Sequence, residues 1–181
     1  DEVDTLEFLV LYSENKGAEY LSGSGQFDSP DFALSAADEQ HHAELLEEIL
    51  GDYPYPPGVN RDWWGCYIVL AEYSELDLLC NPYSADFLWK EEWESLVSGG
   101  AYLEEMSIRE LNRALELTDE SALVAAYTEM LDAAYLHLLK FAQLLYAKPL
   151  DYQAQLLDQG TVDAALAEAI TLVYENFEIN S

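Results

Sequence analysis

The chain has 181 residues, half of them apolar and 13% aromatic. That is enough for one folded domain with a sizeable core, and too apolar for a disordered acidic tail. Its 36 acidic and 7 basic side chains give a net charge of −29, which argues against nucleic acid and anionic membranes as partners and favours metal cations, basic partners or a salt-rich solvent.

No run of 18 apolar residues occurs, so no transmembrane segment is expected. The numbering opens on Asp1 rather than Met. A removed secretory signal accounts for this, as does trimming, and the expected location is secreted or periplasmic, otherwise cytoplasmic. The only cysteines, Cys66 and Cys80, form no CxxC pair, which argues against a zinc finger or a redox motif. In an exported protein the two are a disulfide candidate; two buried thiols are the alternative.

In chain order, residues 2–22 are predicted to form a first helix, with Val3, Glu7, Val10, Leu11, Glu14, Ala18 and Leu21 on one face. Ser22, Gly23, Ser24 and Gly25 are expected to break it. Ser29-Pro30 suits the start of a second helix, whose stripe runs through Leu34, Asp38, Glu39, His42, Leu46 and Ile49 to a stop at Gly51. Residues 52–62 read as a proline-rich loop, and 62–80 as an aromatic, poorly periodic helix. A third bundle helix is expected within 84–106, with Trp93, Val97, Gly100, Ala101 and Glu104 facing inward. Ser107-Ile108-Arg109-Glu110 fits a capping box, which predicts a short separate helix to about Leu117. A long helix follows over about 120–147, with Ala126, Met130, Ala133, Ala134, His137, Phe141 and Leu144 on one side, and Pro149 closes it. One more helix is expected over about 161–176. No strand alternation of useful length is present, so the fold class is all-α, in a single domain over 1–181.

These stripes place five polar groups on otherwise apolar faces: Glu14, Glu39, His42, Glu104 and His137. A buried carboxylate is costly unless it is paired or binds a cation. Small residues flank several of them (Gly17, Ala18, Ala43, Gly100, Ala101, Ala133, Ala134) and leave room for close helix approach. Glu39 and His42 are three apart and share a helix face, the Glu-x-x-His spacing of di-iron and di-manganese carboxylate bundles. Taken singly each has a plainer reading: His137 as a hydrogen-bonded core histidine, Glu14 as a boundary residue, and the Glu39–His42 match as chance in a glutamate-rich helix. His41 is expected on the surface.

The chain resembles the ferritin-like, rubrerythrin-related family catalogued as domain of unknown function 2202. The likeness runs through residues 9–20 (with Glu14 and Lys16) and 35–46 (with Glu39-Gln40-His41-His42). It continues through 100–108, 117–119 and 136–141, with a weaker echo in 152–165. Residues 58–80 have no counterpart and read as an insertion, and 150–181 as a C-terminal helical extension. The resemblance implies a ferritin-like four-helix bundle with additional short helices. Its carboxylate/histidine metal centre would use Glu14, Glu39, His42, Glu104 and His137. A full di-iron site would have a second Glu-x-x-His, but Ala134 stands three before His137, which leaves Glu105 or Glu7 to supply a fourth carboxylate.

Such ligands suit one or two iron ions, or manganese or zinc. With two irons the expected chemistry is iron oxidation or peroxide handling. No nucleophile constellation and no glycine-rich phosphate loop is present. Whether the chain is an enzyme stays open. The alternative is a non-catalytic acidic scaffold, or a subunit of an extracellular assembly, with an incomplete metal site and self-association through an aromatic surface of Trp63, Trp64 or Trp89.

Overall fold

Two of the links between helices are short, two residues at 28–29 and three at 118–120, and each turns the chain back on itself. The structure, a computed structural model, describes residues 2–51 and 92–179. The expected loop at 52–62, the aromatic stretch 58–80, Trp63, Trp64, Trp89, Cys66 and Cys80 lie outside the described residues. Those residues hold five α-helices and one 3-10 turn, with no strand. None of the helices is long and apolar enough to cross a membrane. The chain divides into two compact units, residues 1–89 and 90–181.

In the first unit α1 (Glu2–Phe27) packs against α2 (Pro30–Gly51). The buried face of α1 carries Leu6, Leu9, Val10, Tyr12, Ser13, Lys16 and Tyr20. This is a different face from the one the apolar spacing suggested. Ala18 and Glu14 are exposed, and Leu21 is 65% exposed. The true stripe is interrupted by a serine, a lysine and a glycine, which hides it in a hydropathy pattern. The expected break at 22–25 does not occur either. Gly23 is buried, and the helix runs on to Phe27 because packing against α2 outweighs a glycine penalty of about 1 kcal/mol per residue. Asp28 ends it instead, at φ 52°, a left-handed position that aspartate tolerates better than most residues. The Ser24 hydroxyl then donates to the Ser29 carbonyl at 3.0 Å, closing the turn.

Pro30 opens α2 at a position where its missing N–H is not needed. The buried face comprises Phe32, Ser35, Ala36, Glu39, His42, Ala43, Leu46 and Leu50, while Leu34 is 66% exposed. Tyr20 and Phe32 meet edge to face, ring centroids 5.7 Å apart, and tie the two helices at the turn.

In the second unit α3 (Trp93–Leu117) packs on α4 (Ser121–Leu145), and α4 packs on α5 (Gln159–Ile179). A separate helix from Ser107 does not exist: α3 is continuous. The Ser107 hydroxyl donates to the Leu103 carbonyl one turn back, at 3.0 Å, so it bonds within the helix rather than capping a new one. All six residues from 103 to 108 are buried. Phe141 of α4 lies over Gly100 of α3, where a Cβ would come within 3.0 Å of the ring.

The α4 helix ends as expected ahead of Pro149, with the Tyr146 N–H donating to the Ala142 carbonyl at 2.9 Å. A 3-10 turn (Pro149–Asp151) leads into a loop, and Asp158 starts α5. The Asp158 carboxylate accepts the Thr161 N–H at 3.0 Å and the Thr161 hydroxyl at 2.6 Å, an N-terminal cap that holds its carboxyl below the usual range.

Candidate functional site

In the first unit Glu39 is buried on the face of α2 turned toward α1. Two features of α1 make this tenable. Gly17 lets the helices approach: a Cβ there would lie 3.2 Å from the Glu39 Cβ. The adjacent Lys16 places its Nζ 2.8 Å from Glu39 Oε1, and both side chains are 3% exposed or less. The ammonium also stands 5.4 Å from the Tyr12 ring centroid, within reach of a cation–π attraction. His42, one turn along α2, has Nδ1 3.6 Å from the same Oε1, too far for a hydrogen bond but within first-contact range. Glu39 therefore has a cation and an imidazole on one oxygen.

The expected inward position of Glu14 is overturned. It is exposed and lines an open groove of about 540 Å³ with Gln40, Glu44 and Glu47. Glu14 and Lys16 are two apart, roughly 200° around a helix, so burying one exposes the other. Lys16 occupies the inward place that the apolar spacing assigned to Glu14. One available signal was scarcity, since only seven basic residues occur and this one sits between Ser13, Gly17 and Tyr20. His41 is exposed, as expected.

In the second unit Glu104 of α3 and His137 of α4 are both buried, with His137 Nδ1 3.3 Å from Glu104 Oε1. Ala134, where a further glutamate would complete the second Glu-x-x-His, is buried and supplies no ligand atom.

Glu105 does not fill that gap. It is also fully buried, but about 100° further round α3, where it serves as the anchor of the loop that precedes α5. Its Oε1 accepts the Tyr152 hydroxyl and the Gln155 N–H, both at 2.8 Å. Its Oε2 accepts the N–H groups of Leu156 and Leu157, both at 2.7 Å. Four short donors fill the lone pairs of one carboxylate, and no cation is required. Burial pushes the Tyr152 hydroxyl well above the usual phenol range, as does the Glu105 carboxylate beside it, against an opposing hydrogen bond from Gln155. The phenol therefore stays a donor. The side chain of Glu7, the other suggested source of a carboxylate, lies outside the described ones.

Buried side chains able to hold a metal ion are thus present: Glu39, Glu104 and His137, with His42 beside the first. Each unit by itself thus brings a buried carboxylate beside an imidazole, oxygen and nitrogen donors of the kinds that suit iron, manganese or zinc.

A family model described as an uncharacterized protein domain, DUF2202, matches residues 32–169. The fold is similar to the crystal structure of the hypothetical protein MJ0754 from Methanococcus jannaschii DSM 2661, with a TM-score of 0.70 and 17% identity over 91% of each chain. At that identity the likeness speaks for the fold alone. No curated protein matches the chain significantly.

Proposed function

The chain belongs to the DUF2202 family, and on that premise we propose that it is a metal-binding protein of the ferritin-like, four-helix-bundle type, with Glu39, His42, Glu104 and His137 as ligands. The observation that carries this reading is a buried carboxylate beside an imidazole in each of the two units: Glu39 with His42, and Glu104 with His137. Imidazole beside a buried carboxylate is the pairing that carboxylate-bridged metal centres use. The net charge of −29 favours capture of divalent cations over anions. Bound iron would supply oxidation of Fe(II) by oxygen, or turnover of peroxide. The chain's own contribution is a dry donor set: the carboxylates neutralise the incoming charge and the imidazoles add neutral nitrogen donors.

Glu14, being exposed, drops out of the buried ligand set. A second reading, a non-catalytic acidic scaffold that keeps the fold, draws on Ala134 at the missing glutamate position and on Lys16 already neutralising Glu39.

The test is metal analysis of protein purified without chelator, with anomalous scattering at the iron and manganese edges. The metal reading expects stoichiometric metal that falls away in His137→Ala protein of unchanged helicity. Protein that stays empty after incubation with Fe(II), Mn(II) and Zn(II) would sink it.

A further inference from the structure

We propose that Lys16 is a built-in competing cation, which holds Glu39 in the metal-free protein and yields Oε1 when a divalent ion arrives. It rests on the reading of Glu39 as a ligand and says what regulates that site. A lysine is an unusual occupant of a helix core, because desolvating its ammonium is costly. Here the cost is offset by an ion pair of 2.8 Å with Glu39 Oε1 and by the Tyr12 ring at 5.4 Å. The same oxygen is the one nearest His42, at 3.6 Å. A metal ligated by Glu39 and His42 would therefore arrive at an atom already engaged by a positive charge.

Two positive charges on one buried carboxylate repel strongly in a low-dielectric setting. Either the ammonium moves off Oε1 or the metal binds more weakly. Both outcomes make Lys16 a determinant of affinity. The flexible four-carbon stem of lysine suits a group that must swing away, and the Tyr12 face gives the released ammonium an adjacent site. A purely structural lysine makes the opposite forecast: its removal would disturb Glu39 and weaken binding, or leave it unchanged.

The experiment is Mn(II) and Zn(II) titration calorimetry on the full chain, comparing the wild type with Lys16→Met and Lys16→Gln. Methionine matches the stem without charge, and glutamine keeps a hydrogen-bond donor for Glu39 if methionine fails to fold. The expected result is metal binding at least about tenfold tighter in the uncharged variants, since one repelling charge is gone. The metal-induced rise in melting temperature should be larger in the variants as well. Equal or weaker binding by a folded variant overturns the inference while the metal reading stands. Binding by the variants alone overturns the inference as well as the metal reading for the natural chain, because Lys16 would then never yield Oε1. No binding by any of the three overturns both.

Discussion

Glu39 in the first unit and Glu105 in the second are both essentially inaccessible to water, and the two helices they sit on have answered the same electrostatic problem differently. Glu105 is surrounded by neutral donors: three backbone N–H groups and a phenol, all between 2.7 and 2.8 Å. Glu39 is faced by an ammonium and an imidazole. The neutral cradle is rigid, because three of its four donors belong to the backbone of one loop, and it leaves no lone pair for a cation. The charged arrangement is replaceable, because one positive ion can stand in for another. A buried carboxylate is thus a candidate metal ligand only when its present partner is exchangeable. By that criterion adjacent residues separate cleanly: Glu104, beside His137, stays in the set and Glu105 leaves it.

Removing the Glu105 side chain is the largest test of this distinction. In Glu105→Ala the loop over residues 152–157 loses the acceptor of four short hydrogen bonds, three of them from backbone N–H groups. Leaving buried donors unsatisfied costs about 1–3 kcal/mol each, and partial rescue by water makes a total of about 4 kcal/mol a reasonable expectation. Urea denaturation should show that loss. Hydrogen exchange should show the amides of Gln155, Leu156 and Leu157 losing protection first. Metal binding, measured on whatever fraction remains folded, should keep its wild-type affinity. A metal affinity that fell in step with this substitution would erase the contrast between the two glutamates.

The glycines give a smaller test of the same contrast, because each unit has one where a Cβ would press on its core. At Gly100 a Cβ would meet three Phe141 ring atoms at 3.0 to 3.2 Å, and that ring is fully buried with nowhere to retreat. Overpacking of this kind costs about 1–3 kcal/mol, against a helix-propensity gain of about 1 kcal/mol. Gly100→Ala should therefore destabilise by about 1 kcal/mol in thermal unfolding. At Gly17 the neighbour is the Cβ of Glu39, at 3.2 Å, so Gly17→Ala presses on the residue that faces Lys16. Its net effect on stability should be smaller, within about 0.5 kcal/mol, since the same propensity gain opposes a milder contact. Its effect on metal affinity should exceed that of Gly100→Ala. The reverse ranking of affinities would deny Glu39 its assigned part.

The helices themselves were legible because strong apolar periodicity and breakers agree for most of their length. The α4 bounds and the Pro30 start follow from such signals. What was illegible has a common cause, which is that polar residues occupy core positions. The buried face of α1 carries Ser13 and Lys16, so a search for apolar repeats settled on the outer face, through Glu14, Ala18 and Leu21. The two glycines near the end of α1 mimic a turn, but the helix runs through both, with Gly23 buried and Gly25 exposed. Ser107 mimics a cap because its hydroxyl-bearing neighbourhood matches one, and only the bond back to Leu103 reveals the continuous helix. Within the site, the inward faces of Glu39, His42, Glu104 and His137 are legible because each shares its face with apolar residues three or four positions away: Ala36 and Ala43, Leu46, Ala101 and Ile108, Ala134 and Phe141. Glu105 could not be classified from α3 alone, since its donors come from a loop about 50 residues away in the chain.

A third carboxylate arrangement extends the comparison to a pair of acidic groups on an open cleft. Asp132 on α4 and Glu168 on α5 line an open cleft of the second unit that also takes in Tyr135 and Arg113. Partial burial raises the Asp132 carboxyl above its ordinary value, and the Glu168 charge adds to the rise. The same two carboxylates push the Tyr135 phenol upward after burial, against a hydrogen bond with Asn112. A carboxyl raised by folding favours the protonated native state. Its contribution to stability is fully present below the unfolded aspartate value of about 4, and is lost as pH climbs through the folded value. Asp132→Asn removes that loss. The variant should be more stable than the wild type at pH 7 and should match it near pH 3, a pattern readable from melting temperatures across that range. Because Asp132 is half-open to solvent, screening limits the gain to about 0.5 kcal/mol, and added salt should shrink it further. A gain that persisted unchanged at pH 3 would mean the aspartate was strained by packing rather than by charge. The cleft would then belong with the rigid neutral cradle of Glu105 rather than with the exchangeable pairing of Glu39.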